Sequence, residues 1–310
     1  MKSGLKVFAP ATVANVGVGY DILGFAIDKP GDEIIVRQGK KKGLVITKIT
    51  GCKKKLPLEV EKNTAGYGAQ KLLEHLGLED EPIEMEIHKK MPFGSGLGSS
   101  AASAAGGVYA INEYLRRPLF SKELARFAVL GESVADGAIH GDNVIPSLLG
   151  GIVLIRDNDT FDFIKIPVPP GLHAFVIYPH VEIMTRDARA VLADQVELKK
   201  HIRQNGNLGA LISGFYTSNL ELIQRSLQDH IIEPQRAKLV PHFYELQNIA
   251  LTNGAMNYTI SGAGPSMFGF CLNSLIGENI LEKLKSHLAD KGIESDFYIS
   301  TINTTGTYKY

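Results

Sequence analysis

The sequence predicts an α+β protein in two domains, and three observations carry that reading. Strand-like and helical runs alternate through the first half. A proline-rich break, Ile166-Pro-Val-Pro-Pro-Gly-Leu172, interrupts any regular element. Beyond it, long helical stretches are flanked by strand-like runs. The expected domains are residues 1–168 and 169–310.

In the first half, Leu5–Gly24 is apolar but carries Pro10, Asn15 and Asp21, so it reads as neither a signal peptide nor a membrane span. Glu33–Gln38 and Leu44–Ile49 are strand-like, with Gly39, Lys40–Lys42 and Gly43 between them. That pattern predicts a hairpin with a solvated basic tip. Lys53–Lys55 is a second basic run. Ile83–His88 alternates apolar and polar residues and predicts a strand. It leads into residues 92–107, Pro-Phe-Gly-Ser-Gly-Leu-Gly-Ser-Ser-Ala-Ala-Ser-Ala-Ala-Gly-Gly. There a glycine loop feeds a helix, with Ser99 and Ser100 as expected N-cap hydroxyls and alanines behind them. Tyr109–Tyr114 continues the helix, Arg116-Arg117-Pro118 ends it, and Ser121–Val134 is helical again. In the second half a strand is expected at His173–Tyr178, then helices at Arg186–Asn205, Leu208–Asp229 and Pro241–Thr252. Strands at Asn257–Ile260, Met267–Leu272 and near Asp296–Thr301 enclose a helix near Glu278–Asp290.

With 33 Lys+Arg against 33 Asp+Glu, the charge balance favours neither nucleic acid nor an anionic membrane as partner. The two cysteines, Cys52 and Cys271, give no disulfide framework and no metal spacing, which fits a reducing, cytoplasmic compartment. The nine histidines contain no His-x-His or His-Glu-x-x-His pattern, which argues against a dedicated protein metal cage.

The segment 92–107 carries the chemistry. A glycine loop opening into a helix gathers backbone N–H groups at the positive end of the helix dipole, which is a site for phosphate. No Gly-Lys-Ser or Gly-Lys-Thr closes a glycine run, so this is not a P-loop. Gly96, Gly98 and Ala101 match Gly-x-Gly-x-x-Ala, but no second strand ending in an acid follows, so the match lends a dinucleotide site, and with it a dehydrogenase, only weak support.

Two further glycine segments accompany it. Residues 10–25, Pro-Ala-Thr-Val-Ala-Asn-Val-Gly-Val-Gly-Tyr-Asp-Ile-Leu-Gly-Phe, set Asn15 and Asp21 among glycines, and Ile260-Ser-Gly-Ala-Gly-Pro-Ser-Met267 is a second glycine turn. In this order the three segments resemble the GHMP family of small-molecule kinases, nearly end to end. The phrases His140-Gly-Asp-Asn-Val-Ile-Pro-Ser-Leu-Leu-Gly-Gly, Thr185-Arg-Asp-Ala-Arg189 and Ile232-Glu-Pro-Gln-Arg236 resemble the branch that phosphorylates L-homoserine in threonine biosynthesis. The resemblance implies an N-terminal domain like the second domain of ribosomal protein S5 and a ferredoxin-like C-terminal domain. It also implies ATP and Mg²⁺ as cofactors and a homodimer.

Residue by residue, the resemblance implies that Pro92, Gly94, Ser95, Gly96, Leu97, Gly98, Ser99, Ser100 and Ala101 surround the ATP phosphates. Ser99 or Ser100 with Glu132 would hold Mg²⁺, and Asn63 would contact the adenine. Asn15, Asp21, His140, Asn143, Arg189 and Arg236 match the amino-acid pocket, with Gly262 and Gly264 shaping the third loop. Where the family commonly reads Leu-Pro, this chain has Leu192-Ala193.

The chemistry of an amino-acid substrate suits these types. Asp21 can pair an ammonium, while Arg189 and Arg236 can grip a carboxylate bidentately. Glu132 is a hard oxygen ligand suited to Mg²⁺. Some relatives place an aspartate base where this chain has Asn143. Asp142 is adjacent, and on an extended segment it would face the other way, so a base-free phosphoryl transfer is expected. Another small-molecule kinase of the same fold would leave Asp21 without an ammonium to pair. A non-catalytic nucleotide-binding relative would have no need of Glu132.

Overall fold

A computed structural model describes residues 4–52, 56–92, 94–116, 119–136 and 140–310. Lys53–Lys55 and the Arg117-Pro118 part of the expected helix break lie outside them. The first part of the chain forms β1 (Leu5–Ala14), β2 (Leu23–Gln38), β3 (Leu44–Thr50), α1 (Thr64–Leu76), β4 (Ile83–His88), α2 (Ser99–Leu115), α3 (Ser121–Asp136), α4 (Gly141–Leu149), β5 (Ile152–Asp157) and β6 (Asp162–Ile166). The second part forms β7 (His173–Pro179), α5 (Thr185–Ala190), α6 (Leu198–Thr217), α7 (Leu220–Ser226), α8 (Glu233–Arg236), α9 (Phe243–Thr252), β8 (Thr259–Ile260), β9 (Met267–Cys271), α10 (Ser274–Asp290) and β10 (Ser295–Thr301). A last strand, β11 (Tyr308–Lys309), pairs back onto β1.

Seven strands make the first sheet, in the order β11-β1-β2-β4-β3, with β5 on the early part of β2 and β6 on β5. The alternation read in β4 is real: Ile83, Met85 and Ile87 are buried and the residues between them half-buried. The hairpin expected around Lys40–Lys42 is not formed. β4 lies between β2 and β3, antiparallel to one and parallel to the other. Lys40–Lys42 is an exposed bend between two strands that are not neighbours, because the later β4 supplies the better apolar partner for both. Helix α1 starts where Asn63 Oδ1 accepts from the Ala65 and Gly66 N–H groups and ends at the left-handed Gly77. Helix α2 is rich in Ala and Gly, and its small residues pack it closely among α1, α3, α4 and the sheet.

The second sheet is antiparallel throughout, in the order β10-β7-β9-β8. Numbered within the domain this is 4-1-3-2, the ferredoxin-like order, and its core centres on Phe175, Tyr258 and Leu284. The helix expected at Arg186–Asn205 is two helices with a turn between them. In that turn the Ala193 N–H donates to Gln235 Oε1 at 2.8 Å, a bond that a proline there would remove. The stretch expected at Leu208–Asp229 likewise divides, at Ser218, into α6 and α7. Among the described residues no helix is long and apolar enough to cross a membrane.

Candidate active site

The loop after β4, the starts of α2 and α4, helix α5, Arg236 and the loop after β8 line one cavity of about 770 Å³. The cap of α2 is Gly98, in the left-handed conformation (φ 66°), so Ser99 and Ser100 occupy the first turn rather than the cap expected of them. A Cβ at Gly98 would fall 2.1 Å from Thr12 Oγ1 and 2.9 Å from Asn143 Oδ1. The close meeting of β1, α2 and α4 therefore requires glycine there. At Gly96 (φ 78°) a Cβ would meet the Ser261 and Gly264 carbonyl oxygens at 2.7 and 2.9 Å. The glycine loop of the second domain thus packs directly on that of the first. Ser261 Oγ donates to the Gly96 carbonyl at 2.7 Å, and the Ser266 N–H donates to the Ser95 carbonyl at 3.1 Å.

The first turn of α2 opens into this cavity with N–H groups that have no intrahelical acceptor. Ser100 Oγ donates to Glu132 Oε1 at 2.5 Å. Ser99 Oγ and Ser95 Oγ are buried without a hydrogen-bond partner among the described residues. A buried hydroxyl left unpaired is costly, and a hard cation or a phosphate oxygen would satisfy it. Serine hydroxyls with one carboxylate form an oxygen donor set that fits Mg²⁺. Leu97 and Ala101 are fully buried in the core, and neither they nor Pro92 lines the cavity, so any part they take at a phosphate falls to their backbone.

At the other end of the cavity Asp21 meets Arg189, whose two terminal nitrogens donate to Oδ2 and Oδ1 at 3.2 and 3.4 Å. His140 Nδ1 lies 3.9 Å from the same carboxylate. Arg236 is buried; it donates through Nε to the Ala188 carbonyl, through one terminal nitrogen to the Gly262 carbonyl, and through the other to Tyr20 Oη. Asn15 Nδ2 donates to that same Gly262 carbonyl at 2.9 Å, and Asn15 Oδ1 accepts the Asp21 N–H. The six residues expected at an amino-acid pocket, with Gly262 and Gly264, therefore line one space.

Asn143 and Asp142 do not sit on an extended segment. Both lie in the first turn of α4 and both line the cavity. Asn143 Oδ1 accepts from Thr12 Oγ1 at 2.8 Å. Asp142 is buried, and that burial, reinforced by the Asp21 charge, pushes its carboxyl up to about 7. Asn63 also lines the cavity, yet its Oδ1 caps α1 and its Nδ2 donates to the Pro57 carbonyl. Sequence reading overlooked Thr12, Tyr20 and Lys89, and set Asp142 aside. All but Lys89 fall inside the quoted glycine and His-Gly-Asp-Asn phrases, so the signal was present in those phrases.

Residues 63–151 match the family described as GHMP kinases N terminal domain, and residues 208–290 match GHMP kinases C terminal. A homoserine kinase of Chlorobium phaeobacteroides (strain BS1) is 43% identical, over 96% of this chain and 97% of its own length. The crystal structure of a homoserine kinase from Cytophaga hutchinsonii superposes with a TM-score of 0.97 at 48% identity, covering 100% of this chain and 98% of that one. The mevalonate kinase of Methanococcus jannaschii shares the fold, with a TM-score of 0.72 at 18% identity over 97% and 99% of the two chains. With such identity maintained from end to end, this chain belongs to the homoserine kinases of the GHMP kinase family.

Proposed function

We propose that this chain transfers the γ-phosphoryl group of ATP to the side-chain hydroxyl of L-homoserine, yielding O-phospho-L-homoserine and ADP. One observation carries the reading: a single cavity holds both a glycine-lined helix start and the Asp21–Arg189 pair. A zwitterion can replace that one ion pair by two. Its ammonium takes Asp21 and its carboxylate takes Arg189, with Arg236 beside it. A sugar or a hydroxy acid offers no such exchange.

The phosphates lie on Gly94, Ser95, Gly96 and Gly98 and the first turn of α2. Ser99 or Ser100 with Glu132 holds Mg²⁺, which when bound neutralises charge on the phosphate oxygens. Asn63 stands beside Leu56 and Pro57 at the end that takes the adenine. Because Asn143 commits Oδ1 to Thr12, its NH₂ group is what it offers the substrate: a donor that orients an oxygen and no acceptor for a proton. The hydroxyl is aligned and its proton leaves late, to the transferring phosphate or to water. Positioning and charge stabilisation supply the catalysis. The domain boundary at 168/169, a homodimer and a cytoplasmic location belong to the same reading.

The test is an ADP-release assay with Mg-ATP across homoserine, serine, threonine, mevalonate and galactose. Turnover is expected with homoserine. Equal rates with and without homoserine, or a preference for mevalonate or galactose, would overturn the assignment.

A further inference from the structure

On the surface of the second domain, away from the cleft, His242, Glu245 and His287 converge. His242 is the residue before α9, Glu245 lies in the first turn of that helix, and His287 lies in the last turn of α10. His242 Nδ1 is 3.0 Å from Glu245 Oε1, and His287 Nε2 is 3.0 Å from Glu245 Oε2. The two rings stand 6.0 Å apart at 77° to each other, and one potential ligand atom from each residue falls within 4.8 Å of the other two. The three residues line no part of the cleft. Backbone capping does not explain the first imidazole, since the His242 side chain accepts no hydrogen bond from the free backbone N–H groups at the start of α9.

We propose that His242, Glu245 and His287 bind a zinc ion that pins α9 to α10, with water in the remaining position. Two imidazoles and a carboxylate are a donor set that zinc accepts. Tetrahedral zinc with bonds of about 2.0–2.1 Å sets its donor atoms roughly 3.3 Å apart, so one carboxylate oxygen and the two imidazole nitrogens, now within 4.8 Å of one another, must draw together around the ion. Without metal, each imidazole donates an N–H to one carboxylate oxygen. With metal, each ring carries its proton on the outer nitrogen, and the cation occupies the space between the inner nitrogens and the carboxylate. The C-terminal end of α10 favours a positive charge beside His287. Lys291 Nζ, 3.7 Å from Glu245 Oε2, competes for that carboxylate and must swing outward. No sequence pattern announces the site, because His287 lies 42 residues beyond Glu245 and only the packing of α9 on α10 brings it back.

The test is zinc titration of the full-length, tag-free, metal-stripped protein against a chromogenic chelator. One equivalent is expected to bind and to raise the thermal midpoint. His242→Ala and His287→Ala should each weaken binding by about tenfold or more, and Lys291→Ala should tighten it. Circular dichroism and phosphoryl-transfer rates of the metal-free variants should match the parent. Failure of the parent to bind one equivalent would overturn the proposal. So would unchanged zinc affinity in the His242→Ala/His287→Ala double variant.

Discussion

Lys89 and Asp32 form a buried ion pair directly beneath the first turn of α2. The ammonium also donates to the Ser99 carbonyl at 2.6 Å and to Ser103 Oγ at 2.7 Å, and Asp32 Oδ1 accepts the Lys90 N–H at 2.8 Å. One cation thus ties β2 and the end of β4 to α2, the helix whose first turn opens into the cavity. Removing one partner of such a pair strands a buried charge, at about 3–5 kcal/mol. Lys89→Met is expected to lose that much in urea unfolding, and Lys89→Met/Asp32→Leu to regain part of it. A single variant as stable as the parent would show that the pair contributes nothing.

Asp142 makes stability depend on pH. Its carboxyl is pushed up to about 7 in the folded protein, against an ordinary value of 3.8. Below the ordinary value both folded and unfolded chains hold the proton, and the contribution is fully present. Between the two values only the folded chain holds it, so stability falls as pH rises, by roughly 4 kcal/mol in all. Above about 7 the loss is complete. Asp142→Asn should abolish this slope, so that the variant gains on the parent from pH 4 to pH 7 and keeps a constant lead above. Parallel stability curves over that range would contradict it.

Glu132→Gln should retain the Ser100 hydrogen bond and the fold while losing the carboxylate charge. We expect kcat to fall at least about a hundredfold, on the order of 3 kcal/mol, with an unchanged circular dichroism spectrum. A kcat near the parent value at saturating Mg²⁺ would remove Glu132 from the metal site.

Arg189→Met should act through homoserine and leave the ATP KM alone. Losing one member of a charge pair costs about 2–5 kcal/mol, a rise in homoserine KM of roughly thirtyfold or more. Arg236→Met should show the same rise along with lower stability, because its donors also brace Ala188 and Gly262. Unchanged homoserine KM in both variants would dismiss the clamp.

Asn143→Asp distinguishes orientation from base catalysis. A carboxylate beside the incoming phosphate should repel it and slow turnover. Were a missing base limiting, the aspartate would speed the reaction, by as much as about a hundredfold. The profile of kcat against pH decides: a faster variant with a new acidic limb would overturn the base-free mechanism.

Much of the cavity's lining was legible because its residues cluster in contiguous phrases: Asn15 with Asp21, the glycines and serines between Gly94 and Ser100, and His140 with Asn143. Strand alternation found β4, and the prolines near residue 170 fall in the stretch joining β6 to β7. What escaped depends on groups far apart in sequence. That β4 separates β2 from β3 follows from sheet-wide packing, not from the turn at Lys40–Lys42. Gly98, rather than a serine, caps α2 because Thr12 and Asn143 crowd it. Asp142 was set aside on the premise of an extended segment, whereas the first turn of a helix lets neighbouring residues share a wall.

The strand Tyr308–Lys309 lies beside Val7 and Phe8, and on the way to it Asn303 accepts the Gly151 N–H and donates through Nδ2 to Asp28. The sheet begun by the first strand is therefore finished by a segment made only after the last strand of the second sheet. During synthesis, the edge of β1 waits unpaired while the entire ferredoxin-like domain is made. Splitting the gene at the proline break would give a first fragment lacking its edge strand, restorable in trans by its complement.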